Sequence, residues 1–237
     1  MRVTYLEHSG FFVEGESCCL LFDYYRGTLP KIPANKKLLI FASHHHPDHY
    51  DAEIFRYGEQ YPDTRYILGC DITLNAANRE RMGISDDAFA RCDRMHKDDV
   101  ITRSGVTVRA LRSTDMGVAF YVVCEGKRIY HGGDHNLWIW HEDQSFDRSQ
   151  VAKFYEEIEK LRGLSVDAAF LPLDPRLGEE YWRGFDAFAR LVEPKKMFPM
   201  HMVGDYDIIR RMKETDVSWP YRKRIMEIRA EGDTFEI

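Results

Sequence analysis

The densest chemistry in the chain is the run His44-His45-His46-Pro47-Asp48-His49, with four histidines and an aspartate in six residues. Imidazole and carboxylate are donors for zinc, iron or manganese. The run follows Leu38-Leu39-Ile40-Phe41-Ala42, an apolar segment that reads as a buried strand. Side chains alternate along extended backbone, so His44 and His46 point the same way and His45 points away. Beyond Pro47 the chain must turn, which brings Asp48 and His49 round to a neighbouring point. Two such points suit two adjacent metal ions better than one. A histidine tag or solvated loop is the competing reading, and an internal position behind an apolar strand speaks against it.

Such a cluster needs rigid elements behind it. Strands are predicted at 3–6, 11–13 and 18–22, with turns at Ser9-Gly10 and Gly15-Glu16, and they read as successive antiparallel strands. Asp23 closes the third, where a carboxylate held near the core is expected. Gly27, Pro30 and Pro33 make 24–35 a loop. Helices are predicted over 51–61, with Asp51 as a cap, and over 72–81, ending near Gly83. Further strands fall at 66–68, 106–111, 118–123 and 128–130, the last stopping at His131-Gly132-Gly133-Asp134.

Val151, Phe154, Tyr155, Ile158 and Leu161 then recur at helical spacing across 148–162. A strand over 166–173 ends in Asp174-Pro175-Arg176, a helix follows at 181–192, and Met197-Phe198-Pro199-Met200 leads to His201. A last helix is expected over 206–212, with strands at 224–228 and at the C-terminus. Chemistry-bearing residues thus follow strands at four places, after Ala42, Leu111, Tyr130 and Met200. Ligands at strand ends on a rigid sheet are what a metal site requires.

The totals narrow the class. The 237 residues, 44% of them hydrophobic, show no linker or composition break, so one domain over 1–237 is expected. A formal charge of -6 argues against a large nucleic-acid surface but not against a small-molecule substrate. No stretch of about 18 apolar residues predicts a membrane span. The start of the chain lacks the basic and apolar regions of a signal peptide. Five cysteines, an odd number with no export signal, predict reduced thiols and a cytoplasmic location. Cys18-Cys19 reads as a redox pair or as two buried residues, and their opposite faces favour burial. Nothing in the chain specifies an oligomeric state.

His44-x-His46-x-Asp48-His49, then Gly133-Asp134, then Pro199-Met200-His201, together with the strand ending in Asp23, resemble the metallo-β-lactamase-fold hydrolases. The opening His8-Ser9-Gly10-Phe11 is similar to the small single-domain branch related to lactonases and phosphodiesterases. The resemblance runs from about residue 3 to residue 212. It implies an α+β fold, a four-layer αββα sandwich with metals at one edge between the sheets. It implies that His44 and His46 bind a first metal, that Asp48, His49 and His201 bind a second, and that Asp134 bridges the two. The implied cofactors are one or two divalent ions, zinc first, with manganese or iron as alternatives. The implied reaction is attack of a metal-bound hydroxide on a small ester, lactone or phosphodiester, with Asp48 doubling as proton acceptor. Gly132-Gly133 would let the backbone approach closely before Asp134.

The departures matter as much. The family usually supplies a third histidine to the first metal from the loop after the strand ending near Leu111. Here that loop reads Arg112-Ser113-Thr114-Asp115-Met116-Gly117. Asp115 is the leading substitute and Thr114 a weaker one, while a plain turn residue is the alternative for Asp115. His8, Asp23, His131, His135 and Arg176 are candidates for substrate contact or for support behind the ligands. Packing for His8 and a salt bridge from Arg176 to Asp174 are the simpler readings. Trp138 and Trp140, with Tyr24 and Tyr25, are candidates for a pocket wall or for core packing. His96 and His141 read as surface residues. Two rival functions stand beside hydrolysis: a non-catalytic metal- or ligand-binding relative, and an iron-based oxidoreductase of the same fold. The second usually has a glutamate where His46 stands.

Overall fold

The computed structural model describes residues 1–61 and 63–237. Short apolar strands joined by tight turns open the chain. β1 (Arg2–Glu7), β2 (Gly10–Glu14) and β3 (Cys18–Phe22) form an antiparallel meander, with Val3 opposite Val13 and Phe11 opposite Phe22. β3 and β4 (Lys37–Ala42) then pair in parallel, from Cys18 against Lys37 to Phe22 against Phe41. Both read as nearly continuous apolar runs, which is what strands covered on both faces require. β5 (Arg65–Gly69) and β6 (Cys92–Met95) extend the parallel ladder, and β13 (Thr234–Glu236) closes the other edge beside β1.

The second sheet begins with antiparallel neighbours: β7 (Val100–Arg103), β8 (Val106–Arg112), β9 (Val118–Cys124) and β10 (Lys127–His131). β11 (Ala168–Pro172) and β12 (Lys196–Met200) add to β10 in parallel. Aromatic rings from both sheets meet between them. Phe41 lies 4.6 Å from Phe22 on its own sheet and 5.3 Å from Phe120 opposite, while Phe11 lies 4.3 Å from Phe170.

Helices cover the outer faces. α1 (Glu53–Glu59), α2 (Ala76–Met82) and α3 (Asp86–Ala90) lie on the first sheet, with Ile54, Phe55 and Ala88 buried against Leu38, Ile40 and Tyr66. α4 (Gln144–Glu159), α5 (Arg183–Leu191) and α6 (Asp207–Glu214) bury Phe154, Phe188 and Ile209 in the core that includes the second sheet. The architecture is therefore α+β, an αββα sandwich. Among the described residues no helix is long and apolar enough to cross a membrane.

The parallel strands decide where chemistry can gather. The segments following β3, β4, β10, β11 and β12 carry Asp23, His44, Asp134, Asp174 and His201 to one edge. Outside the carboxyl ends of parallel strands is where open α/β sheets also place ligands. Two glycines allow the close approach. A Cβ on Gly117 would meet the Ser43 carbonyl oxygen at 2.1 Å, and one on Gly133 would meet the Ser43 side chain at 2.7 Å. Gly133 thus serves the seating of Ser43 beneath the cluster.

Two sequence expectations need correction. Residues 224–228 form no strand. Ile225 makes a single bridge to Met197 after the short helical turn Arg222–Arg224. Ile225 and Ile228 are both buried but lie three apart, a spacing that a period-two strand cannot bury on one face. The helix expected from residue 72 starts at Ala76, where the Asn75 side chain accepts the Asn78 amide hydrogen. Ile72 and Leu74 are buried in the non-helical approach instead.

Candidate metal centre

Three imidazoles at this edge have one ring nitrogen tied back into the protein. The Ser43 hydroxyl donates to Asp23 at 2.6 Å, so it accepts from His44 Nδ1 at 2.9 Å. His49 Nδ1 donates to Asp23 at 2.8 Å. His201 Nδ1 donates to Asp174 at 2.9 Å. These bonds fix the tautomer, leaving Nε2 of each ring as a lone-pair donor facing inward. Asp23 is wholly buried and also accepts the Ser43 amide hydrogen at 2.7 Å. Burial would raise its carboxyl, but His131 and His49 outweigh that and hold it below the usual range.

The inward nitrogens converge on Asp134. Nε2 of His44, His49 and His201 lies 3.3, 3.1 and 3.3 Å from its carboxylate. Nε2 of His44, Nε2 of His49 and Oδ1 of Asp134 are buried without a hydrogen-bond partner. Lone pairs aimed at a carboxylate at such distances repel unless a cation or protons lie between them. This donor set, imidazole Nε2 atoms turned towards one carboxylate, fits a metal ion. Burial pushes the Asp134 carboxyl up, yet His49 and His201 hold it well below the usual range.

The donors fall into two groups. His8, Asp48, His49 and His201 each bring an atom within 4.8 Å of the others, as do His44, His46 and Asp134. His8 joins a set that the resemblance filled with Asp48, His49 and His201 alone. Its Nε2 stands 3.4 Å from Asp48, and its ring centroid lies 4.1 Å from that of His201. The His8 imidazole beside it holds Asp48 below the usual carboxylate range against partial burial. Burial pushes His8 down, towards the neutral imidazole. The backbone of His8, Asp23 and His201 is left-handed, with φ of 53°, 41° and 61°. Non-glycine residues adopt this region at a cost of about 1–3 kcal/mol each, and such strain clusters at functional sites.

Not every candidate reaches the centre. Asp115 lines the cavity above it, but its Oδ2 remains 4.0 Å from His46 Nδ1 and it belongs to neither group. His45 turns away and pairs with Asp71 at 2.7 Å. His131 sits beneath the site, bonded to the Ser9 carbonyl at 2.9 Å and 3.8 Å from Asp23. The structure does not bring His135 to the cluster. Its buried ring stacks on Phe154 at 4.9 Å, because the turn after Asp134 points it under α4. Arg176 makes the bond to Asp174 and lines the cavity, with Nη2 3.4 Å from His201 Nδ1. His96 and His141 are exposed. Tyr24 and Tyr25 do not line the cavity, whereas Trp138 and Trp140 do. The supporting role of Asp174 escaped the sequence reading, although it closes an apolar strand just as Asp23 does.

Residues 2–148 match the family described as beta-lactamase superfamily domain. The chain belongs to that family. Curated relatives include a UPF0173 metal-dependent hydrolase of Pelotomaculum thermopropionicum, 26% identical over 222 residues and covering 85% of this chain and 84% of the relative. Another, of Archaeoglobus fulgidus, is 23% identical over 216 residues, covering 85% and 83%. Among solved structures, a metallo hydrolase of Ignicoccus hospitalis aligns with a TM-score of 0.67 at 18% identity, covering 100% of this chain and 98% of that one. At that identity the likeness speaks for the fold.

Proposed function

We propose that the chain is a metal-dependent hydrolase of small esters, lactones or phosphodiesters, acting as one cytoplasmic domain over residues 1–237. The observation that carries this reading is the convergence of three inward imidazole nitrogens on Asp134, those of His44 and His49 buried with no hydrogen-bond partner. The curated relatives described as metal-dependent hydrolases support it. His8, Asp48, His49 and His201 would hold one ion, and His44, His46 and Asp134 the other. Histidine-rich donors favour zinc, ahead of manganese or iron. Divalent metal supplies a nucleophile from water at neutral pH and polarises the scissile oxygen.

The chain's own residues do the rest. Asp48 is partly exposed at the cavity and held ionised by His8, so it can accept the proton that an attacking water releases. Asp23, Ser43 and Asp174 orient the imidazoles. The cavity over the site, about 260 Å³, admits a small molecule. That is below the roughly 300–1,000 Å³ of pockets for drug-sized ligands.

His46 is more than a third exposed on its side chain, so His46→Ala leaves the fold intact. The variant is expected to lose turnover of every ester or lactone the parent hydrolyses, with an unchanged melting curve. Full activity in it would contradict the proposal. A non-catalytic binding role is the second reading, favoured by the distance of Asp115 from His46, which leaves the first group with three donors. Metal bound at full stoichiometry without turnover of any probe would support that role instead.

A further inference from the structure

One wall of the cavity has a different character from its floor. Trp138, Trp140, Phe146 and Gln150 line it, whereas Asp134 and His201 lie at the base. Trp138 is buried and fixed, because its Nε1 donates to the Asp134 carbonyl at 2.8 Å and its ring meets His201 edge-on at 5.5 Å. Trp140 lies parallel to it, 6.2 Å away at an interplanar angle of 6°. Trp140 is 40% exposed and Phe146 45% exposed. Two large rings turned to solvent beside a chemical centre form an apolar face that a ligand can cover.

Phe146 and Gln150 are four residues apart on α4, so they share a face of the helix. Gln150 is only 4% exposed, yet its Oε1 has no hydrogen-bond partner. A buried amide oxygen left unmet is destabilising, and a ligand N–H that pairs with it relieves that cost. The cation in the wall is already committed. Arg176 gives Nε and Nη2 to Asp174, so its charge is largely offset before a substrate arrives.

We infer that the substrate is a compact neutral molecule with a flat aromatic ring next to its scissile bond. The ring lies on Trp140 and Phe146, and a polar N–H group donates to Oε1 of Gln150. This specificity rests on the hydrolase reading, but ring recognition can be measured without turnover. The probe for binding is benzamide, which carries a ring and an amide. The control is cyclohexanecarboxamide, which has the same amide and no π face.

Ligand-observed NMR on the metal-free protein is expected to show benzamide binding more tightly than the control. Trp140→Ala should weaken benzamide about 2- to 10-fold and erase the preference, given the usual worth of an aromatic pair. Gln150→Leu should weaken both amides by a similar factor. On the metal-loaded protein, kcat/KM for benzyl acetate should exceed that for cyclohexylmethyl acetate, and Trp140→Ala should bring the two together. Equal binding of the two amides to the parent would overturn the inference, as would a preference that survives Trp140→Ala. Preferential benzamide binding with neither ester hydrolysed would leave ring recognition standing and count against ester hydrolysis alone.

Discussion

Among the described residues the sandwich gathers metal-type side chains at two places, and they differ in one respect. At one, His44, His49, His201 and Asp134 face each other, and Nε2 of His44, Nε2 of His49 and Oδ1 of Asp134 are buried with no partner. At the other, Cys18 on β3 and Cys124 on β9 bring their sulfurs within 2.7 Å, with Glu125 beside them. Residue type and compactness would nominate both. At the cysteine group, however, every acceptor is already used. Glu125 takes the backbone N–H groups of Glu16 and Ser17 at 2.7 Å each, the Ser17 hydroxyl at 2.8 Å and the Cys18 N–H at 3.2 Å. The bond to Cys124 and burial both push the Cys18 thiol up, and a protonated thiol is a poor ligand. Unmet valence, more than ligand chemistry, separates a candidate site from a structural knot.

The largest expected effect breaks the comparison at its strong end. His49→Ala should weaken divalent-metal binding by more than roughly 100-fold, beyond the 10–100-fold typical of losing a residue behind a ligand. Cys124→Ala should leave binding unchanged. Calorimetric titration of both variants checks this, and equal losses would erase the distinction.

A smaller effect is expected behind the ligands. Asp174→Asn keeps the size of the group that orients His201 but removes its charge. Metal affinity should fall by about 10–100-fold with the fold retained. An unchanged affinity in the same titration would mean that Asp174 serves Arg176 alone.

The smallest effect is at the cysteine end and concerns stability only. Burial raises the Glu125 carboxyl, but the Ser17 and Glu16 amides outweigh it and hold it at about 2, against an ordinary 4.5. A depressed folded-state value means stability that is present above about pH 4.5 and lost as pH falls towards about 2. Glu125→Gln should cost about 1 kcal/mol at neutral pH, after discounting for exposure, and less as acid removes the charge from the parent. Thermal melts of both proteins across that range check the sign. A penalty that grows in acid would contradict it.

Much of this was legible in the sequence because the elements are strongly patterned. The run Leu38–Ala42 ahead of four histidines reads as a buried strand, and β4 is one, ending just before His44. Strand-end residues Asp23, Asp134 and His201 were legible for the same reason. Short polar strands such as Cys92–Met95 were not, since their pairing comes from the sheet edge they join rather than from alternation. The convergence of His8 on His201 was also hidden, because it depends on β12 and β1 meeting across two sheets. His135 misled through proximity: one residue beyond Asp134, the turn sends its ring under α4.

By the proposed function, the inward nitrogens of His44, His49 and His201 bind cations together with Asp134. Titrating zinc into chelator-stripped protein, with binding followed by calorimetry and elemental analysis, tests it most directly. The expected result is two equivalents bound per chain in the parent and in Cys124→Ala. No zinc retained by the parent, or equivalents that vanish with Cys124 and survive His49→Ala, would contradict it.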